Sequence, residues 1–143
     1  MAISLLGAAK QEALSANSEA ASDRKGYELS LYQGDWYTPK AESCRKAIMY
    51  KESRFFYGAQ NSTSSAQGAY QFLDNKWRDG LVWMMLAESK NNKDGLGKDI
   101  RSLRDKPIKT WNRYFQDRAF YTAWRFGEGA SHWAPVPCKV VKG

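Results

Sequence analysis

A break in periodicity constrains this chain more than any other feature. Apolar residues keep helical spacing as far as residue 52 and again from residue 74. The 21 residues between them read SRFFYGAQNSTSSAQGAYQFL, rich in Ser, Gln and Gly and without a single Asp or Glu. Such a stretch continues neither helix, so the fold must set helices around one compact polar loop or small β element. The segment before the break begins at Thr38-Pro39, which reads as a helix start with a hydroxyl cap and proline at the first helical position. Counted from there, Cys44, Ile48 and Glu52 fall four residues apart, on the face that carries Ala41 and Ala47.

Glu52 thus ends an apolar stripe at a position where the pattern predicts another aliphatic residue. Desolvation there raises a carboxyl pKa, so the group can hold a proton near neutrality, which is what a general acid requires. The neutral wall that follows, with Ser53, Gln60, Asn61, Ser62, Thr63, Ser64, Ser65, Gln67 and Gln71, suits a polyhydroxylated or amide-bearing substrate such as a sugar.

Further along, Asp74 reads as the N-cap of a helix reaching about Ser89, with Trp77, Leu81, Met84, Met85 and Glu88 on one side. The Met84-Met85-Leu86 run reads as core filler. A short helix is expected over Lys98 to Arg104, stopped ahead of Pro107. From Pro107 to Phe126, residues Ile108, Trp111, Phe115, Ala119, Ala123 and Phe126 keep helical spacing, which predicts one long packing helix closed by Gly127. The tail with Trp133, Pro135, Pro137 and Cys138 reads as an irregular wrap. Tyr27 to Tyr32 reads as an extended lead-in, turned at Gly34-Asp35. Residues 1–26, rich in Ala, Ser and Glu, form a helical or flexible extension, and residues 27–143 one domain. The class is mainly α, with a small irregular or β element beside Glu52.

The net charge of +7 asks for anionic surroundings, either nucleic acid or a carboxylate- and phosphate-rich bacterial envelope. Lys and Arg are scattered, and no recognition helix, zinc finger or stacking motif appears, so nucleic acid is not the expected partner. Six Trp and eight Tyr are a heavy aromatic load, serving a core or a sugar-stacking cleft. Cys44 and Cys138 lack metal spacing and are either bridged or two buried thiols. The single His132 anchors no zinc site, and neither a metal nor another cofactor is expected. No stretch reaches the roughly 18 apolar residues of a membrane span. Ile3 to Ala9 lacks the basic flank of a signal peptide, so none is expected.

The motifs resemble those of the lytic transglycosylase family, whose signature is Glu-Ser, a spacer, then Ser-x-x-Gly-Ala-x-Gly-Leu-Met-Gln. Glu52-Ser53 matches the pair, and residues 62–71, STSSAQGAYQ, match the second part at Ser62, Ala66, Gly68 and Gln71. Ser65 replaces a Gly, Ala69-Tyr70 replace Leu-Met, and the spacer is one residue longer. A third signature, Ala-Tyr-Asn-Ala-Gly-x-Gly, is similar to residues 123–129, AWRFGEG, with Trp124 and Arg125 in place of Tyr and Asn. The resemblance spans residues 38 to 133. It implies a lysozyme-like α+β fold and Glu52 as the catalytic acid, cleaving the glycan strands of peptidoglycan to a 1,6-anhydro product. It further implies substrate contacts from Ser53, Ser62, Gly68, Tyr70, Gln71, Tyr121 and Trp124.

In the family the Tyr of the third signature reaches the catalytic carboxyl; here Trp124, Tyr70 or Tyr121 is expected to take that place, with Arg125 turned away from Glu52. A muralytic protein with no signal peptide would be carried in a phage virion or delivered to the periplasm, with residues 1–26 docking on other virion or tail proteins. Two alternatives stay open: a lysozyme-type hydrolase using Asp74 as its second carboxylate, and a virion structural protein that binds peptidoglycan without cutting it.

Overall fold

The computed structural model describes residues 22–143; residues 1–21, and with them most of the expected N-terminal extension, lie outside the described part. Asp23 to Gly26, the remainder of that extension, pack on the body: the Asp23 carbonyl accepts from Tyr57 N at 3.0 Å, and the Arg24 guanidinium lies 3.9 Å from the Phe56 ring centroid. The chain is mainly helical, with one small antiparallel sheet. Among the described residues, no helix is long and apolar enough to cross a membrane.

Helix α1 (Glu42–Ser53) is entered through a 3-10 turn over Pro39–Ala41. Proline does sit at the first position of that turn. Thr38 contributes its backbone carbonyl to Ala41 N, however, and its hydroxyl caps nothing, contrary to the expected cap. The helix ends at Arg54, and both Arg54 and Phe55 are left-handed, with φ of 55° and 67°.

The polar stretch then folds as a hairpin of β1 (Ala66–Gln67) and β2 (Phe72–Leu73), paired Ala66 with Leu73 and Gln67 with Phe72. Helix α2 (Asp74–Asn92) follows directly. Asp74 is its first residue rather than its cap. The carboxylate instead accepts from Ile108 N at 2.9 Å and lies 3.6 Å from Arg78.

Helix α3 (Gly97–Ser102) runs on into a 3-10 turn over Leu103–Asp105. The long helix expected from Pro107 to Phe126 is two elements: a 3-10 turn over Ile108–Thr110, then α4 (Arg113–Trp124). Asn112 breaks it, sitting extended and capping α4 by accepting from Phe115 N at 3.0 Å. Apolar spacing survives the break because the 3-10 turn keeps Ile108 and Trp111 on the core side.

Helix α4 is the axis. Eleven of its twelve residues are buried, among them Asp117 and Arg118, which lie side by side in sequence and project about 100° apart. Asp117 meets Arg45, Tyr57 and Tyr70; Arg118 meets Glu88 and Asp94.

The cysteine alternatives resolve as a disulfide. Cys44 in α1 is bonded to Cys138 in the tail across 94 residues, with Cα atoms 5.4 Å apart. A loop of that length, closed covalently, is worth on the order of 4–5 kcal/mol in the chain-entropy view.

Arg45 has no exposed surface and pairs with Glu42 at 2.6 Å and Asp117 at 3.7 Å. Arg45→Met should therefore leave two buried carboxylates uncompensated and lower stability by about 3–5 kcal/mol. Urea unfolding followed by circular dichroism would check this; a loss below about 1 kcal/mol would mean that the network is not holding the core.

Candidate active site

Glu52 occupies the last turn of α1, half-buried. Ser53 beside it ties the helix end to the hairpin: its hydroxyl reaches Ala69 O at 2.8 Å and Met49 O at 3.1 Å. Lys51, on the other side, donates to Pro135 O at 2.6 Å. The tail is pinned to the same turn by Trp133, whose indole donates to Tyr70 O at 3.0 Å. The end of α1, the Gly68–Gln71 turn and the tail thus converge around residue 52.

The turn itself is held from beneath. Gln116, buried in α4, accepts from Ala69 N at 2.8 Å, and its amide donates to the carbonyls of Tyr57, Ile108 and Trp111 within 3.1 Å. Gly68 is left-handed (φ +81°), and a Cβ there would lie 2.5 Å from Gln116 Oε1. Both conditions demand glycine. Gln71 is also left-handed (φ 54°), and its side-chain amide donates back to Gly68 O at 3.0 Å. Gln71 therefore braces the turn it closes.

Burial raises the Glu52 carboxyl above its ordinary value, opposed only by the Lys51 charge. Among the described residues, none donates a hydrogen bond to this carboxyl or forms an ion pair with it. Among the described residues, no second carboxylate shifts it. Asp74, the alternative partner, is committed to Ile108 N and Arg78. Arg125 makes no ion pair with Glu52; its guanidinium lies 5.4 Å from the Trp36 ring centroid.

The remaining sequence candidates divide. Ser62 is exposed on the loop, beside Asn61, whose side chain accepts from Thr63 N at 2.8 Å. Tyr70, Tyr121 and Trp124, expected at the substrate, are buried to 1% exposure or less. Tyr70 donates its hydroxyl to Asp117 at 2.7 Å and Tyr121 to Glu42 at 2.5 Å, so neither phenol reaches Glu52. Trp124 stacks on Phe120, and its indole N–H has no partner among the described residues. Tyr70 from the hairpin turn and Tyr121 and Trp124 from α4 all pack on the Phe120 ring, so the three fill the core beneath the site.

The sequence reading missed the support. Glu42, Arg45, Gln116 and Asp117 look like surface residues in a linear chain, yet all are buried. Glu42 titrates below its ordinary value: burial opposes this, and hydrogen bonds from Arg45, Tyr121 and Ser30 N overcome it. The one available signal was position, since Arg45 and Asp117 lie on the apolar faces of their helices. His132 packs 5.3 Å from the Phe72 ring and 5.2 Å from Trp77, and burial lowers its pKa. Among the described residues, no cluster of ligands could hold a metal ion.

No known protein family, curated protein or solved structure matches the chain.

Gly68→Val should disturb the turn far more than Ser64→Ala, which removes only an acceptor for Ala66 N at 3.2 Å. Forcing a β-branched residue into a left-handed site against Gln116 should cost about 2–4 kcal/mol. Thermal melts of the two variants decide it; equal melting temperatures would remove Gln116 as the support of the turn.

Proposed function

We propose that this chain cleaves the β-1,4 bond between N-acetylmuramic acid and N-acetylglucosamine in peptidoglycan, with Glu52 as the single acid and base. The observation that carries this reading is the isolation of Glu52. Burial raises the pKa of its carboxyl, and among the described residues Lys51 is the one charge that shifts it. A two-carboxylate glycosidase needs its partner within about 10 Å, and Asp74 is already bonded to a backbone amide and an arginine.

One acid suffices if the sugar supplies its own nucleophile. Protonated Glu52 gives its proton to the leaving glycosidic oxygen as the bond from C1 breaks. As carboxylate, it then takes the proton of the muramic 6-hydroxyl while O6 bonds to C1. The proton count closes, Glu52 is restored, and a 1,6-anhydro product leaves without consuming water. The loop over residues 53–73, polar and without an acid, suits acetamido and hydroxyl groups, and the net charge of +7 suits an anionic wall. The Cys44–Cys138 disulfide fits an oxidising compartment, in keeping with delivery to the periplasm by a phage virion.

Digestion of purified sacculi followed by mass spectrometry tests the reaction. Wild type should release anhydro-muropeptides, and Glu52→Gln, which keeps shape and loses the proton, should fall by a factor of about 10²–10⁴. Reducing-end products would instead place a water and a second base at the site and overturn the one-acid mechanism.

The raised carboxyl also sets a stability trend. Folded Glu52 keeps a proton that the unfolded chain gives up near pH 4.5. Wild type therefore loses stability as pH rises from about 4.5 through the raised value, and the penalty is constant above it. Glu52→Gln should melt higher than wild type at neutral pH, with the gap closing as pH falls below about 4.5. A pH-independent difference between the two melting curves would show that the carboxyl is not desolvated.

A further inference from the structure

A second concave surface lies away from Glu52. It is a groove of about 510 Å³ between α2, the turn after Tyr32 and the chain beyond α4, and Trp36, Trp83 and Phe126 supply its ring faces. Its polar lining includes Asp35, Asn91 and Arg125. It shares no residue with the end of α1, the Gly68–Gln71 turn or the tail. We propose that this groove is a non-catalytic saccharide site, holding a pyranose ring of a glycan by stacking and by in-plane hydrogen bonds. The choice of peptidoglycan as the polymer rests on the proposed function above; the saccharide chemistry does not.

Four observations converge on this. First, Trp83 is 71% exposed in the middle of a helix. A large indole left in water beside the ring faces of Trp36 and Phe126 makes an exposed aromatic surface suited to binding. Second, the Arg125 guanidinium lies over Trp36 at 5.4 Å and, among the described residues, has no carboxylate partner. Its donors face the groove without a hydrogen bond among the described residues.

Third, the wall is built at a cost. Arg125 and Phe126 are both left-handed, with φ of 52° and 57°, and run on into a left-handed Gly127 at 95°. Two such residues cost about 1–3 kcal/mol each and persist only where the surroundings enforce them. Hydrogen bonds from Gly129 N to Trp124 O at 2.8 Å and from Glu128 N to Arg125 O at 3.0 Å do so. The result sets the Phe126 ring 4.9 Å from Trp36, with Arg125 beside it. Met84, read from sequence as core filler, lines the same groove.

Fourth, the polar groups select among ligands. An apolar ligand would cover Asp35, Asn91 and Arg125 without pairing them, which is unfavourable. A phosphate or nucleic acid would meet the carboxylates of Asp35 and Glu88 as well as the one guanidinium. Glu88 cannot turn away, because Tyr32 OH, Asp35 N and Arg118 Nε all donate to it. A pyranose ring satisfies the whole set: its C–H face packs on indole, and its hydroxyls both accept from Arg125 and Asn91 and donate to Asp35.

The test uses Glu52→Gln protein, so that binding is read without cleavage, and a β-1,4-linked N-acetylglucosamine tetramer as probe. Calorimetry should show binding, weakened about tenfold or more when Trp83→Ala is added, a loss of about 1.4 kcal/mol. Asn91→Ala, also at an exposed position, should weaken it several-fold by a separate route. With Glu52 intact, Trp83→Ala should slow digestion of whole sacculi while leaving the cleavage of short soluble fragments unchanged. Absence of tetramer binding, or equal binding with and without Trp83, overturns the proposal. Equal loss on fragments and sacculi would place Trp83 in the reaction cleft and overturn the separation of the two sites. If the wild type cleaves nothing yet the Trp83-dependent binding is found, the groove stands and the catalytic reading falls.

Discussion

The structure depends on Arg45, a guanidinium with no exposed surface at the centre of the chain. A buried charge is tolerated only when every donor finds an acceptor. Arg45 meets that demand by drawing in four separate segments: it donates to Glu42 within its own helix, to Glu28 O in the lead-in, to Tyr70 OH in the hairpin turn, and lies in ion-pair range of Asp117 in α4. Asp117 accepts in turn from Tyr57, Tyr70 and Leu31 N. The geometry of each segment is thereby specified by the others. The place of Glu52 follows, because α1 cannot rotate without pulling Arg45 from its acceptors.

What surrounds Glu52 is the complement of that network. The hairpin turn is satisfied by Gln116 from below and Trp133 from the side, and the Glu52 carboxyl is left without a donor among the described residues. Nearly every other buried acid in the molecule is saturated: Glu42, Glu88, Asp94 and Asp117 each carry several donors. Against that background Glu52 is a half-buried carboxyl that burial raises and that no donor among the described residues offsets. The saturated acids hold the fold, while the Glu52 carboxyl takes no part in it.

The sequence made the scaffold partly legible. The helical spacing of Cys44, Ile48 and Glu52, the polar break after it and the special backbone at Gly68 are local facts that propensity and periodicity can read. The helix expected over 107–126 is divided at Asn112, because apolar spacing reports which side chains face inward and is blind to such a cap. A linear motif gives neighbours in sequence, not depth, so it does not show that the rings of Tyr70, Tyr121 and Trp124 are buried. The buried ion pairs were invisible for a deeper reason. Arg45, Glu88, Asp117 and Arg118 are residue types that are almost never buried alone, and their partners lie 72 residues apart or 30 residues apart in the chain. Only the folded arrangement shows that each is paired.

Asp117 and Arg118 carry this logic to both candidate surfaces. They are consecutive on α4 and project in different directions, so one helix organises two charge networks of opposite sense. Asp117 is an anion that gathers Arg45 and the phenols of Tyr57 and Tyr70, beneath the hairpin and the acid. Arg118 is a cation that gathers Glu88 and Asp94, and Glu88 is the floor of the Trp36–Trp83–Phe126 groove. Neither network can be loosened without exposing an unpaired charge in the core. The acid and the groove are therefore held by the same rigid element and cannot drift relative to α4. A glycan touching both would meet two fixed points on one body, and its strand would be held in register by the spacing between them rather than by closure of a loop.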